Sequence, residues 1–170
     1  SSAFYNCKKL ADIKFSDNTT EYISNAFYGT AWFDAQHDGP VYCGKYLYKL
    51  KGNLPENSTV TVKDGTKGIC EYAFVTEVNK YGYGTGGAPN IVKVVLPEGI
   101  ESIGQCAFYD CQNLKEINLP DSISKIANSA FSSCTSLKKV SLPKSLFMIE
   151  LSTFSNCNAL EEIEIPENID

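Results

Sequence analysis

Residues 114–131 read Leu-Lys-Glu-Ile-Asn-Leu-Pro-Asp-Ser-Ile-Ser-Lys-Ile-Ala-Asn-Ser-Ala-Phe, and this unit recurs along the chain. Phe131 has counterparts at Phe108 and Phe154, each 23 residues away, and Phe4 and Phe27 are also 23 apart. From Phe27 to Phe74 is 47, two periods plus one; from Phe74 to Phe108 is 34, one period plus 11. Twelve residues before each Phe sits an apolar residue: Phe15, Val62, Leu96, Leu119 and Leu142, with Ile165 continuing the column. Two positions earlier stand Ile13, Val60, Val94, Ile117, Val140 and Ile163. Seven positions later stand Ile69, Ile103, Ile126 and Ile149, with Tyr22 the exception in the first unit. A fixed period of about 20–50 residues marks a stack of units, each burying its face only against its neighbours.

The alternation at Ile117 and Leu119 predicts a half-buried strand, which Pro120 and its counterparts Pro97, Pro143 and Pro166 end. Strands are expected near Phe15, Val62, Leu96, Leu119, Leu142 and Ile165, stacked in one parallel sheet about 4.8 Å apart. The apolar residues that follow, spaced by three and four, predict short helices or turns around the Ala-Phe pairs. Leu-x-x-Ile-x-Leu at this period matches the leucine-rich repeat. The run Leu137-Lys138-Lys139-Val140-Ser141-Leu142-Pro143, continued by Ile149, Phe154 and Cys157, resembles the BspA-like, or treponemal-type, leucine-rich repeat. The segments at Gly29–Asp34, Gly39–Tyr42 and Lys63–Thr66 are similar to the island that interrupts such repeats in bacterial surface proteins. The resemblance implies a secreted or surface-attached bacterial protein of the kind associated with adhesion. Tyr22 in an Ile column, Thr153 in the Ala column and the insertion between Phe74 and Ile91 depart from the pattern.

The expected fold is thus an α/β solenoid with a period of about 23 residues. A parallel sheet forms one face, and short helices and turns form the other. Residues 1–170 make one repeat domain, with an island near 29–57 and a Gly-rich insertion near 79–90. Both ends fall inside repeats, which reads as a fragment of a longer chain.

Fifteen Lys stand without a single Arg, and the net charge is −5. Arg supplies the bidentate fork for phosphates and base edges, so nucleic acid is not the expected partner. Residues 150–170 hold six carboxylates and no Lys, which reads as a solvated acidic rim. The chain has no run of about 18 apolar residues and hence no expected membrane-spanning helix.

Cys7, Cys111, Cys134 and Cys157 each lie three residues after a repeat Phe, which predicts thiols buried coil on coil. A disulfide between adjacent coils is disfavoured, because parallel Cβ vectors about 5 Å apart exceed the usual separation of roughly 3.8 Å. Cys106 and Cys111 form no pair of metal-ligand motifs. His37, the only histidine, could reach chemistry only beside Cys43 with Asp34 or Asp38 as orienting group. Gly82-Tyr83-Gly84-Thr85-Gly86-Gly87 matches G-x-G-x-x-G, but no helix is expected after it, so it reads as a flexible insertion loop. Asn18-Thr19-Thr20 and Asn57-Ser58-Thr59 are formal sequons whose meaning depends on the source. No catalytic, cofactor or metal residue is assigned.

Two surfaces are candidates for ligand contact. The first is the open strand face: Asp12 and Lys14, Thr59 and Thr61, Lys93 and Val95, Glu116 and Asn118, Lys139 and Ser141, Glu162 and Glu164. Its mixed signs do not suit a single polyion. The second is aromatic. Val41-Tyr42-Cys43 and Tyr46-Leu47-Tyr48-Lys49-Leu50, joined at Gly44-Lys45, read as a hairpin. Alternation puts Tyr46, Tyr48 and Leu50 on one face and Leu47 and Lys49 on the other, leaving aromatic surface open. Tyr42, Tyr46 and Tyr48, with Tyr81 and Tyr83, would form a contact patch for a protein or glycan. The expected role is a non-catalytic adhesion or protein-interaction module, outside the cell or on its surface. Its partner would be a host or neighbouring-cell surface protein, a matrix protein or a glycan. A passive spacer presenting other domains is the alternative.

Overall fold

The computed structural model describes residues 2–16, 24–78 and 84–169. Among these the strands are β1 (Gly39–Cys43), β2 (Tyr46–Lys51), β3 (Ser58–Thr61), β4 (Gly68–Ile69), β5 (Val75–Val78), β6 (Gly84–Gly87), β7 (Ile91–Val95), β8 (Ser102–Ile103), β9 (Glu116–Ile117), β10 (Lys125–Ile126), β11 (Lys139–Ser141) and β12 (Glu162–Glu164). Repeat positions pair with their own copies one coil on. Val60 faces Val94, Val94 faces Ile117, and Val140 faces Ile163, always in parallel. A one-residue slip would turn the buried Val60, Val94 and Val140 to solvent, so the hydrophobic column fixes the register.

The single parallel sheet of the sequence reading is corrected to two ladders. The first carries β3-β7-β9 and, separately, β11-β12; the second runs β2-β4-β8-β10 in parallel, with β1 added as an antiparallel edge. The second ladder stacks Leu47, Ile69, Ile103 and Ile126, the column expected to lie in helix or turn. Strands of the first ladder end just before Val62, Leu96, Leu119, Leu142 and Ile165 rather than centring on them. The prolines that follow four of these residues, Pro97, Pro120, Pro143 and Pro166, have no N–H to continue the pairing. No strand includes Phe15, and Tyr22 lies outside the described residues.

The expected helices at the Ala-Phe pairs are also corrected. Among the described residues the one helix is α1 (Ala31–Asp34), in the island, with the Thr30 hydroxyl accepting from the Phe33 N–H. The corners at Phe108, Phe131 and Phe154 are instead turns between left-handed residues, and those at Phe4 and Phe74 carry one such residue. Tyr72, Cys106, Ser129 and Ser152 lie two before the Phe, and Asn6, Asp110, Ser133 and Asn156 two after it; all have φ from 52° to 63°. Left-handed residues at that spacing cannot sit in a right-handed helix. Hydrogen bonds to the next coil hold the corner open instead. Phe74 N–H donates to Ala107 O (2.8 Å), Phe108 N–H to Ala130 O (2.8 Å), and Phe131 N–H to Thr153 O (2.9 Å). Backbone supplies the acceptor, so Thr153 in the Ala column leaves the bond unchanged.

The Phe rings form the spine of the core. Phe74, Phe108 and Phe131 are wholly buried, and the rings from Phe74 to Phe154 stack at 4.4, 5.1 and 5.4 Å. Beside them runs a ladder of thiols. Cys111 Sγ–H donates to Phe74 O (3.7 Å), Cys134 to Phe108 O (3.2 Å), and Cys157 to Phe131 O (3.1 Å). All three are free and buried. Loss of hydration pushes the Cys111 thiol up to about 12 and raises Cys134 well above its ordinary value. Cys7 departs from the column and is exposed, because no described coil packs on that side: Phe4 stacks on Phe27 alone.

A second, smaller core gathers Ala26, Phe27, Phe33, Val41, Cys43 and Tyr48. Tyr48 closes this core against Phe27. Its ring meets Phe27 edge-on at 5.8 Å, and its hydroxyl accepts from the Phe27 N–H at 2.9 Å. The repeat-Phe position one period after Phe27 is held by Leu50, buried in the main core with its N–H donating to Ala73 O as Phe74 N–H does to Ala107 O.

If the stacked Phe column holds the coils together, Phe131→Ala costs about 3–5 kcal/mol in denaturant unfolding. A loss below about 1 kcal/mol would refute the packing. Thiol labelling of the native protein modifies Cys7 at once and leaves Cys111, Cys134 and Cys157 protected until unfolding.

Candidate interaction surface

The first ladder presents alternate side chains to solvent. Thr59, Thr61, Lys93, Glu116, Asn118, Lys139, Ser141, Glu162 and Glu164 are exposed, and Val95 is half-buried. Their charges alternate from coil to coil. Lys93 Nζ meets Glu116 at 2.7 Å, while Lys139 Nζ meets Glu162 at 2.8 Å and Glu164 at 3.2 Å. Hydrogen bonds from these lysines help hold the Glu116 and Glu164 carboxyls below their ordinary range; for Glu164 the larger cause is the Ser141 hydroxyl, at 2.7 Å. Glu116 is committed to Lys93, and Lys139 to its two glutamates. The two bridged strand pairs, β7-β9 and β11-β12, are not joined to each other.

Asn118 follows β9 at that boundary. In the neighbouring coils the equivalent residues use backbone bonds, as in Val62 N–H to Val95 O and Leu142 N–H to Glu164 O. Here the Asn118 side chain substitutes for a strand. Its Oδ1 accepts from the Leu96 N–H (2.8 Å) and its Nδ2 donates to Leu96 O (3.0 Å). β9 is therefore only two residues long. Beside it lies an open groove of about 770 Å3 whose walls carry Lys93, Lys115, Lys138 and Lys139 against the single carboxylate Glu116, with half-buried Ile117 in its lining. Lys115 and Lys138 were missed in the sequence. Their only signal was two like charges at the same repeat position in successive coils.

The aromatic patch is corrected at Tyr48. Tyr42 and Tyr46 are half-buried, and Tyr48 is buried entirely. Tyr42 accepts from the Lys63 N–H (3.0 Å) and lies under the Lys63 ammonium at 4.1 Å. Tyr81 and Tyr83 lie outside the described residues. The hairpin of β1 and β2 forms, with Val41 paired to Lys49 and Tyr42 to Leu47, and most of its side chains are buried. Tyr48 is the extra residue of a β-bulge, which shifts the alternation by one. Leu47 and Leu50 thereby enter the main core while Tyr48 enters the smaller one.

Lys49 is the second consequence of that bulge. It is 1% exposed, and its Nζ donates to Asn25 Oδ1 (2.9 Å) and Tyr72 O (3.0 Å). It ties the first coils to the regular repeats. Burial pulls its pKa down to about 7 from an ordinary 10.5.

The remaining sequence motifs do not assemble a reactive centre. Cys43 is buried and desolvation raises its thiol, the opposite of an activated nucleophile, while His37 is exposed. Gly84–Gly87 is not the expected loop but strand β6, paired antiparallel with β5. A Cβ at Gly87 would strike the Asp110 backbone, so this glycine permits close packing against the next coil. Among the described residues no group of His, Cys, Asp and Glu is placed to hold a metal, and no helix is long and apolar enough to cross a membrane.

Comparison with known proteins follows the same lines. The model of the BspA-type leucine-rich repeat region matches residues 1–79 and 76–170, in six copies. A T. pallidum leucine-rich repeat protein, TpLRR, is 27% identical with a TM-score of 0.62, over 79% of this chain and 59% of that one. A leucine-rich repeat protein from Bacteroides ovatus is 24% identical with a TM-score of 0.57, over 66% of this chain and 26% of the other. One from Bacteroides capillosus is 24% identical with a TM-score of 0.54, over 74% and 86%. The last two show likeness of fold. The chain thus spans less than two thirds of the first two proteins. A comparison with curated proteins returns no match.

Two outcomes test the geometry. Asn118→Ala removes both bonds to Leu96 and lowers stability by about 1–3 kcal/mol. Lys49 makes stability pH-dependent. Between its folded pKa near 7 and its unfolded pKa near 10.5 only the unfolded chain holds the proton, so raising pH favours the fold. Unfolding free energy therefore rises from pH 7 to about 8.5, with a limiting slope of about 1.4 kcal/mol per pH unit. Above that range ionising thiols favour the unfolded chain. Lys49→Met flattens the rise; an unchanged slope would contradict the assignment.

Proposed function

Because the chain belongs to the BspA-type leucine-rich repeat family, we propose that it is a non-catalytic adhesion module of a secreted or cell-surface protein. Repeats of this family are in general protein-interaction modules, and the surface assignment rests on the family. The observation that carries the reading is the division of labour between faces. The stacked Phe74-Phe108-Phe131, Ile69-Ile103-Ile126 and Cys111-Cys134-Cys157 columns turn inward, while the strand face presents Lys93, Glu116, Asn118, Lys139, Glu162 and Glu164 beside an open groove. Tyr42 and Tyr46 extend the candidate contact area at the island. The partner is a protein on a host or neighbouring cell, or in the matrix; a glycan is the second possibility for the tyrosines. A passive spacer is the rival reading, and one observation favours it: Lys93, Lys139 and their glutamates neutralise each other.

The two readings separate in a binding assay. The purified chain should bind cultured host cells or immobilised matrix proteins saturably. Charge reversal at Lys115 and Lys138 should weaken that binding with little change in melting temperature. Absence of saturable binding to any cell, matrix or glycan surface would leave the spacer.

A further inference from the structure

The groove beside β9 and β11 has a chemistry of its own. Of its four lysines, Lys93 and Lys139 already hold carboxylates, at 2.7 Å and 2.8 Å. Lys115 and Lys138 make no ion pair among the described residues. Glu161, one coil beyond Lys138, meets it through backbone alone, its N–H donating to Lys138 O at 2.9 Å. Two unneutralised ammonium groups thus stand in successive coils at one repeat position, with half-buried Ile117 in the groove they line. Like charges so placed repel, and an anionic ligand bridging both relieves the repulsion. The molecule also shows what a lysine-bearing coil accepts. Lys139 is met by Glu162-Ile163-Glu164, an extended segment whose carboxylates flank an apolar residue.

We propose that this groove receives an extended acidic segment of a partner protein, with two carboxylates on Lys115 and Lys138 and an apolar side chain between them over Ile117. The assignment rests on the reading of the chain as a protein-interaction module and names the chemistry of its partner.

The test uses a synthetic peptide, Leu-Glu-Glu-Ile-Glu-Ile-Pro, copying residues 160–166, titrated into the intact chain by calorimetry. Two control peptides carry Lys for every Glu, or Ser for every Ile. The acidic peptide should bind, and the Lys peptide should not. The Ser peptide should be weaker by about tenfold, the scale of one buried apolar side chain. Lys115→Glu with Lys138→Glu should weaken the acidic peptide by at least about tenfold. Lys115→Gln with Lys138→Gln serves if the reversal disturbs folding, which thermal melting reports. Raising salt should loosen the complex. Equal binding of acidic and Lys peptides, or no effect of either double variant in a folded protein, would overturn the proposal. Self-association of the chain that the acidic peptide displaces would reassign the groove to a second copy and overturn the partner. Should the peptide fail while the chain still binds cells or matrix, only the acidic-segment assignment falls. Should the chain bind nothing, the module reading falls with it.

Discussion

Coil-on-coil stacking of identical positions is the constraint on which this structure depends. No single coil can bury its own apolar face, since its strands are two to six residues long and its corner is a turn. Each coil is completed by the next. Phe131 lies between Phe108 and Phe154, and Cys134 reaches back to the carbonyl of Phe108. Backbone groups that a helix would satisfy internally are satisfied across the coil boundary, as in Phe108 N–H to Ala130 O. Polar groups, rings and thiols all repeat at one step, so one register serves every interaction.

This arrangement frees the strand face from structural duty. Side chains there can vary in charge without touching the core, and the variation sets local geometry. Lys93, Glu116, Lys139 and Glu162 alternate in sign at one position. They close into two bridged pairs, and the ladder parts between them. Such exposed pairs add little stability, yet they decide which lysines stay free. Asn118 spends its amide on Leu96, on the β7 side of the break. The groove opens where the two bridged pairs part.

The period, the inward columns of Val60, Val94 and Val140, and the protected cysteines were legible in the sequence, because periodicity reports burial directly. The second ladder was not. Strands of two residues, such as Lys125–Ile126, are too short to show alternation. The turns at the Ala-Phe pairs were hidden for a different reason. Their left-handed positions are held by Cys106, Ser129 and Asp110, without the glycines that usually announce them. The island misled through a single bulge. Strict alternation exposed Tyr48, and one extra residue buried it against Phe27 in the smaller core. The candidate groove was half legible. Lys93, Glu116, Asn118 and Lys139 followed from alternation. The roles of Lys115 and Lys138 depend on contacts between coils, which become visible only once the register is known.

The most direct test of the stacked column is a double-mutant cycle at Phe108 and Phe131, using leucine at each so that the core stays filled. Because the rings lie parallel at 5.1 Å, the two substitutions should be non-additive, with a coupling of about 0.5–1.5 kcal/mol. Strict additivity, with each leucine costing no more than its lost volume, would mean that the coils meet at this column without depending on it.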